Sequence, residues 1–325
     1  MKLIIQIPCY NEEKTLPMVL NELPKQIEGI NVIETQIIDD GSTDDTVRVA
    51  RELGVNHIVS YIGNKGLGYA FKTGIENALK HGADIVVNTD GDNQYPGKYI
   101  ADLVKPIIDR KADIVIGNRQ TAKIKHFSPL KKLLQFIGSA LVRYLSETKV
   151  TDSVSGFRAY SRESLLRLNV VSRFSYVLDT IIQAGKKGLV IIDVVMETNP
   201  PTRNSRLFKN IWQHIKKSTA DMIRIYAMYE PLKIFLVLSL PFLLVGSIGI
   251  FRFMYYFYFT DMGSGMIQSL VLSGISMTIF VSLASMGIIG DLIHKSRMIQ
   301  DDIIYNQKIN KYGATDYELE NGIKR

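Results

Sequence analysis

Cysteine is almost missing from this chain. Cys9 stands alone among 325 residues, so no internal disulfide can form, and the usage fits a reducing compartment. At the end of an apolar run, its thiol is expected in a core and not in chemistry. No secretory leader is expected either, since the stretch from Met1 to Pro8 is short and is interrupted by Lys2 and Gln6. The first part of the chain is therefore expected in the cytoplasm. No internal repeat or low-complexity segment is visible, which sets aside solenoids and compositional linkers. Of five histidines only His126 falls where chemistry is plausible, and a loop role is the simpler reading there.

Charge is missing from two long runs. Residues 234–251 are uncharged between Lys233 and Arg252, and residues 262–290 are uncharged between Asp261 and Asp291, so each can span about 30 Å of hydrocarbon. A buried hairpin in a soluble protein is the alternative, and the length of both runs argues against it. Residues 260–265 carry no Lys or Arg, whereas Lys209, Lys216, Lys217, Arg224 and Lys233 precede the hairpin and Lys295 and Arg297 follow it. Both ends are thus expected on the cytoplasmic side. Arg252, Tyr255, Tyr256 and Tyr258 read as a snorkelling cation and an aromatic belt at the far interface. Just before the hairpin, residues 204–230 place Phe208, Ile211, Trp212, Ile215, Met222, Ile223 and Tyr226 at the spacing of one helix face. The reading is an amphipathic helix in the plane of an anionic surface, or else one packed on a domain.

What is present is globular in composition: 46% hydrophobic and 22% charged residues, with a net charge of +7. That charge suits nucleic acid, an anionic bilayer or a phosphorylated substrate. The late basic residues line up with the hairpin, and the first domain lacks a surface of mixed aromatic and basic residues, so nucleic acid is poorly supported as a partner. Up to about residue 120, apolar runs of strand length (2–9, 32–39, 56–62, 84–90 and 113–117) alternate with helical patterns (15–28, 43–53 behind a Ser42 cap, and 67–81). This alternation predicts an α/β fold with a mostly parallel, Rossmann-like sheet covered on both faces. Ligands of such sheets gather at the carboxyl ends of the strands. The polar clusters fall there: Tyr10 to Glu13, Asp39 to Ser42, Asp90 to Gln94 and Gly117 to Arg119. The expected divisions are a sheet domain over 1–203, the amphipathic helix over 204–230, the hairpin over 231–294 and a polar tail over 295–325.

Asp90-Gly91-Asp92 closes an apolar strand and could seat a hard divalent cation that holds a diphosphate, although the same tripeptide also makes ordinary turns. Asp39 and Asp40 lie at the same expected edge. Asn64-Lys65-Gly66-Leu67-Gly68 opens a helix, where amides favour phosphate or nucleotide, or simply form a loop. Arg119, Arg203 and Arg206 can match phosphate oxygens in pairs, or else meet solvent or lipid headgroups; Lys131 and Lys132 allow the same two readings.

Ile7 to Glu13, Ile38 to Asp44, Asp90 to Gln94, Gly117-Asn118-Arg119 and the segment Asp152 to Arg158 (DSVSGFR) resemble glycosyltransferase family 2 enzymes of GT-A fold. Within that family the likeness is to polyprenyl-phosphate glycosyltransferases and dolichyl-phosphate mannose synthases with a C-terminal membrane hairpin. It covers about residues 1–230 by motif and 231–295 by architecture. The resemblance implies that Pro8, Tyr10, Glu12, Asp39 and Asp40 surround the base and ribose of a nucleotide sugar, with Lys65 nearby. It implies that Asp90, Asp92 and Gln94 hold Mg2+ or Mn2+ against the diphosphate, and that Arg119, Arg203, Arg206, Lys131 and Lys132 meet donor and acceptor phosphates. Asp152 then lies near the sugar or the acceptor, or only caps the loop before Gly156. Many relatives have Ala where Gly91 stands. The implied reaction moves one hexose, from UDP-glucose or a similar donor, to undecaprenyl or dolichyl phosphate with inversion at the cytoplasmic face. A tetramer is also implied by resemblance. A processive polysaccharide synthase would call for a Gln-x-x-Arg-Trp motif, and Trp212 has no such context. A nonenzymatic, membrane-tethered nucleotide-sugar scaffold is the other alternative.

Overall fold

The computed structural model describes residues 1–120, 129–170, 176–200, 220, 224, 226–260 and 267–313. Two compact units emerge, one formed by Met1–Ser205 with Ile303–Arg325 and the other by Arg206–Asp302.

The first unit is built on a seven-stranded sheet: β1 (Lys2–Cys9), β2 (Val32–Asp39), β3 (His57–Ser60), β4 (Ile85–Asn88), β5 (Ile114–Asn118), β6 (Arg158–Ser161) and β7 (Ile191–Val195). Their spatial order is β3-β2-β1-β4-β6-β5-β7. The sheet is mostly parallel, as the alternating pattern predicts. The exception is β6, which is antiparallel to both β4 and β5. Around it lie α1 (Leu16–Glu22), α2 (Thr46–Glu52), α3 (Leu67–Lys80), α4 (Ile100–Ile108), α5 (Pro129–Ser146), α6 (Arg162–Arg167) and α7 (Val177–Lys186). On one face Leu3, Ile5, Val87, Val115 and Phe157 pack against Ile100, Leu103 and Val104 of α4.

Two predicted helices come out shorter. α1 ends at Glu22 and not at 28, because Leu23 precedes Pro24 and is driven to extended backbone at φ −68, ψ 138. α2 begins at Thr46 and not at 43. Ser42 does not cap it; its hydroxyl accepts from the Asn11 amide at 2.9 Å, while Asp44 accepts from the Thr46 amide at 3.1 Å. The residues between β2 and α2 are thus spent on joining the β1 and β2 loops.

The middle strands carry a polar seam that hydropathy alone does not explain. Gln36, Gln6 and Asn88 stand side by side on β2, β1 and β4 and are wholly buried. The Gln36 amide donates to Gln6 Oε1 at 2.9 Å, and the Gln6 amide donates to Asn88 Oδ1 at 3.0 Å. Asn77 of α3 closes one end by donating to Gln36 Oε1 at 3.0 Å. Buried amides are tolerated because each finds a partner. A Cβ at Gly74 would lie 2.2 Å from Gln6 Oε1, so this helix position has room for hydrogen alone.

The second unit holds α8 (Pro231–Phe259) and the larger part of α9 (Ile267–Tyr312). Both are long and apolar enough to cross a membrane, and only 11% and 17% of their most apolar windows are buried, the reverse of a soluble core hairpin. Small residues let the two helices approach: a Cβ at Gly249 would fall 1.9 Å from Ser273 Oγ, and one at Gly246 2.9 Å from Met277. α9 does not stop where the apolar run stops but continues unbroken to Tyr312. Its last turns, from Ile303, belong to the first unit. There the Tyr305 hydroxyl donates to Glu163 at 3.0 Å, and the Lys308 ammonium donates to the carbonyls of Leu165 and Leu168 at 3.2 and 2.6 Å, capping the end of α6.

Candidate functional site

The site lies along the carboxyl ends of the central strands. β4 delivers Asp90 and Asp92, and β5 delivers Arg119. Because β6 runs the other way, with Asn88 and Ile116 both opposite Arg158, the residues leading into it (152–157) come to the same edge. One reversed strand thus brings Asp152 and Gly156 beside groups distant in sequence.

Gly156 is the close neighbour of Asp90. A Cβ there would sit 3.3 Å from both carboxylate oxygens of Asp90 and 3.4 Å from the Tyr176 hydroxyl. Its backbone is held on both sides: its N–H donates to Tyr95 Oη at 3.3 Å, and its carbonyl accepts from Asn88 Nδ2 at 3.0 Å and from the Tyr176 hydroxyl at 3.2 Å. The amide seam therefore ends under this site. Tyr176 lies flat on Phe71 at 3.8 Å. Burial drives its phenol well above the ordinary tyrosine range and that of Tyr95 to about 12, so both stay protonated hydrogen-bonding groups.

Asp92 is bracketed by Gln94, whose backbone and side-chain amides donate to its two oxygens at 3.2 and 3.0 Å. Between them Asn93 adopts a positive φ of 58°. Asn199, beyond β7, clamps the same loop: its N–H donates to Gln94 O and its side chain to Asn93 O, both at 3.0 Å.

Arg119 and Asp152 form a bidentate pair, Nε to Oδ2 and Nη2 to Oδ1, each at 2.8 Å, and the Arg119 backbone N–H adds a third bond at 3.2 Å. Asp152 is only 4% exposed. Burial alone would raise its carboxyl, but the Arg119 hydrogen bonds and charge outweigh it and hold the group below the usual carboxylate range. Burial likewise works against charge on Arg119, yet the hydrogen bonds and charge of the Asp152 carboxylate push its guanidinium further toward the charged form. A cavity of ≈ 380 Å³ adjoins the pair, lined by Asn118, Lys149, Val150, Thr151, Ile191, Ile192 and Asp193.

The other half of the edge belongs to β1, β2 and β3. Pro8 is the penultimate residue of β1 with Tyr10 exposed beyond the strand, while Glu12 is buried and accepts from the Thr15 hydroxyl at 2.6 Å. Asp39 accepts from the Ser42 amide at 3.1 Å and the Ser60 hydroxyl at 2.6 Å. Asp40 accepts from the Lys65 and Gly66 amides at 2.7 and 2.9 Å, so those two N–H groups are turned to a carboxylate of the chain itself. The Lys65 ammonium sits over the rings of Tyr61 and Tyr69 at 4.8 and 4.9 Å. Gly41 permits this crowding: its φ is +76°, and a Cβ would strike the Gly63 backbone at 2.5 Å.

Lys131 and Lys132 fall in the first turn of α5, with side chains outside the described residues; Arg203, Arg206, His126 and most of the amphipathic stretch 204–230 lie outside them altogether. Asn88, Tyr95, Tyr176 and Asn199 join the site without having been singled out in the sequence, and Gly156 was noted only within the DSVSGFR segment. Of those four, Asn88 left a trace, as a polar residue in an apolar run.

No cluster of three His, Cys, Asp or Glu side chains is assembled among the described residues. Asp90 and Asp92 nevertheless suit Mg2+ or Mn2+, which take one or two carboxylates and fill the remaining positions with phosphate oxygens and water. Two hard oxygen donors with Gln94 alongside fit an ion that arrives with a diphosphate.

A family profile described as "Glycosyl transferase family 2" matches residues 4–168. The chain is 33% identical to UDP-N-acetylglucosamine–dolichyl-phosphate N-acetylglucosaminyltransferase of Methanococcus voltae, across 59% of this chain and 83% of that protein. It is 27% identical to undecaprenyl-phosphate mannosyltransferase of Micrococcus luteus, across 60% and 82%. In fold it is similar to glucosyl-3-phosphoglycerate synthase of Mycobacterium tuberculosis, solved with Mn2+, UDP and phosphoglyceric acid, at 22% identity and a TM-score of 0.52 over 68% of this chain and 78% of that one.

Proposed function

The chain belongs to glycosyltransferase family 2, and from that premise we propose that it transfers one hexose from a nucleoside diphosphate sugar to a polyprenyl phosphate, with inversion, at the cytoplasmic face of a membrane. The observation that carries the reading is the Arg119–Asp152 pair set at the same sheet edge as Asp90 and Asp92, in a chain that also bears two apolar helices of spanning length. Relatives named for dolichyl and undecaprenyl phosphate support the class of acceptor; they differ in sugar, so the donor is kept as UDP-glucose or a similar nucleotide sugar.

In this reading residues 1–203 are the catalytic domain, 204–230 lie along the membrane surface, 231–294 anchor the chain and 295–325 return to the cytoplasm. Pro8, Tyr10, Glu12, Asp39 and Asp40 line the nucleoside side, with Lys65 behind Asp40. Asp90, Asp92 and Gln94 would hold Mg2+ or Mn2+, which supplies positive charge to the leaving diphosphate. Arg119 offsets repulsion between donor and acceptor phosphates, joined by Arg203, Arg206, Lys131 and Lys132.

A lipid monophosphate has a second pKa of about 6 and needs no base to become nucleophilic at neutral pH. One of its oxygens forms the bond to the anomeric carbon as the bond to the diphosphate breaks, and the nucleoside diphosphate departs with the electron pair. Asp152 is accordingly no proton acceptor. Three N–H groups of Arg119 occupy it, and its work is to aim that guanidinium.

The test is a panel of labelled nucleotide sugars presented to the full-length protein in vesicles containing polyprenyl phosphate, with Mg2+ or Mn2+ added. One donor should place label in the organic extract, and Asp92→Ala should lower transfer by about 100-fold or more with the protein still folded and membrane-bound. Donor binding with no lipid-linked product, or near wild-type turnover of Asp92→Ala, would remove the proposal.

A further inference from the structure

Two rungs join the end of β5 to the loop before β6. One is the Arg119–Asp152 pair. The other lies one residue back on each side, where Asn118 Nδ2 donates to Thr151 Oγ1 at 2.6 Å. The second rung starts from the last residue of β5 and the first from the residue after it, and both reach a loop that no strand pairing holds against β5.

The second rung is anchored from a third element. Asp193 on β7 accepts from the Thr151 N–H at 2.7 Å and also from the Thr151 hydroxyl. That hydroxyl has one proton, which goes to Asp193, and its oxygen is left to receive the Asn118 amide. The directions are consistent along the whole relay, from Asn118 through Thr151 to Asp193. Asn118 is itself oriented, since its Oδ1 accepts from the Gln120 N–H at 2.9 Å and its carbonyl accepts from the Met196 N–H at 2.9 Å. Asp193 Oδ1 is buried with no hydrogen-bond partner among the described residues. The carboxylate's fixed bonds are therefore those to Thr151. β7 is the outermost strand beside β5, with Asp193 opposite Ile116, so the anchor rests on the sheet and not on another loop.

We propose that Asp193 is a positioning residue: through Thr151 and Asn118 it holds the segments carrying Asp152 and Arg119 in the register that aims the guanidinium at the acceptor phosphate. This rests on the reading of Arg119 given above. Asp193 acts through Thr151, to which both of its hydrogen bonds run. Its function as an acceptor of two hydrogen bonds needs an oxygen and not a charge, which separates it from a phosphate-binding or proton-transferring role. An amide at position 193 keeps one such oxygen, and alanine keeps none.

The measurement is kcat and KM for the polyprenyl phosphate, with the full-length protein in vesicles, for Asp193→Ala, Asp193→Asn, Thr151→Val, Arg119→Ala and the Asp193→Ala/Arg119→Ala double variant. Asp193→Ala and Thr151→Val should each lower kcat/KM for the acceptor roughly tenfold with the donor KM held, the scale of a modest misplacement of a substrate-orienting group. Asp193→Asn should recover most of that loss. In the Arg119→Ala background, Asp193→Ala should cost nothing further, because nothing remains to be aimed. Thermal unfolding of each variant accompanies the kinetics, and Asp193→Asn with full stability but the full alanine defect would overturn the relay. Impaired Arg119→Ala alongside unimpaired Asp193→Ala, or losses that simply multiply in the double variant, would overturn the positioning role alone. Wild-type transfer by Arg119→Ala would overturn the reading of the pair, and this inference with it.

Discussion

At Asp152 and Cys9 two acidic groups meet opposite surroundings. Asp152 is buried but ringed by guanidinium donors, and stays ionised. Cys9 is buried at the end of β1, and desolvation, reinforced by Glu12, Asp39, Asp44 and Asp90, lifts its thiol well above the ordinary cysteine range. A protonated thiol at 2% exposure is a poor nucleophile. Cys9 should therefore resist maleimide in the folded protein and react only as the chain unfolds, which mass spectrometry of timed alkylation checks. Rapid labelling under native conditions would contradict this environment. Arg158 is the other buried extreme: it is fully enclosed, and its guanidinium donates to the carbonyls of Ser153, Ser155 and Val177 at 2.7 to 3.0 Å. It fastens the very loop that carries Asp152.

At the scale of elements, the end of α9 makes the most specific claim. Tyr305 and Lys308 tie it to α6 through Glu163, Leu165 and Leu168. Replacing both, Tyr305→Phe with Lys308→Met, should destabilise the first unit by about 2 kcal/mol and lower its Tm by roughly 6 °C, read by thermal unfolding in detergent; an unchanged Tm would show that the contact adds nothing. The tail that supplies it was unreadable in the sequence, because its polar composition gives no sign of what its two anchors would meet. β6 and β7 escaped for a related reason. Arg158-Ala159-Tyr160-Ser161 is four residues long and opens on a charge, and Asp193 interrupts the apolar run of β7. β1, β2, β4 and β5 were legible since they are longer or uniformly apolar. The carboxylate loop and Arg119 were legible through their place after such strands, whereas the pairing of Arg119 with Asp152 was not: it depends on the reversed direction of a strand that periodicity does not reveal.

For the whole molecule, composition alone disclosed the apolar pair of helices, since a run without charge needs no register or partner to be recognised. Its orientation is open to a direct experiment that uses the silence of Cys9. In sealed vesicles, an impermeant maleimide should reach Ser264→Cys from one face and Ser296→Cys from the other, with the second on the cytoplasmic side. Labelling of both from the same face would refute the hairpin topology drawn from Lys and Arg placement.

Strand order has a consequence for the birth of the protein. β6 fills the place between β4 and β5, yet about forty residues separate the end of β5 from its beginning. A nascent chain that has just emerged through residue 120 holds the carboxylate loop and the arginine on strands that are not neighbours in the finished sheet. The gap closes only when the ribosome delivers the intervening strand, and β7 can cover the far side only later still. The edge that carries both groups is therefore complete only after residues 158–161 have been made, and the outer neighbour of β5 follows with residues 191–195.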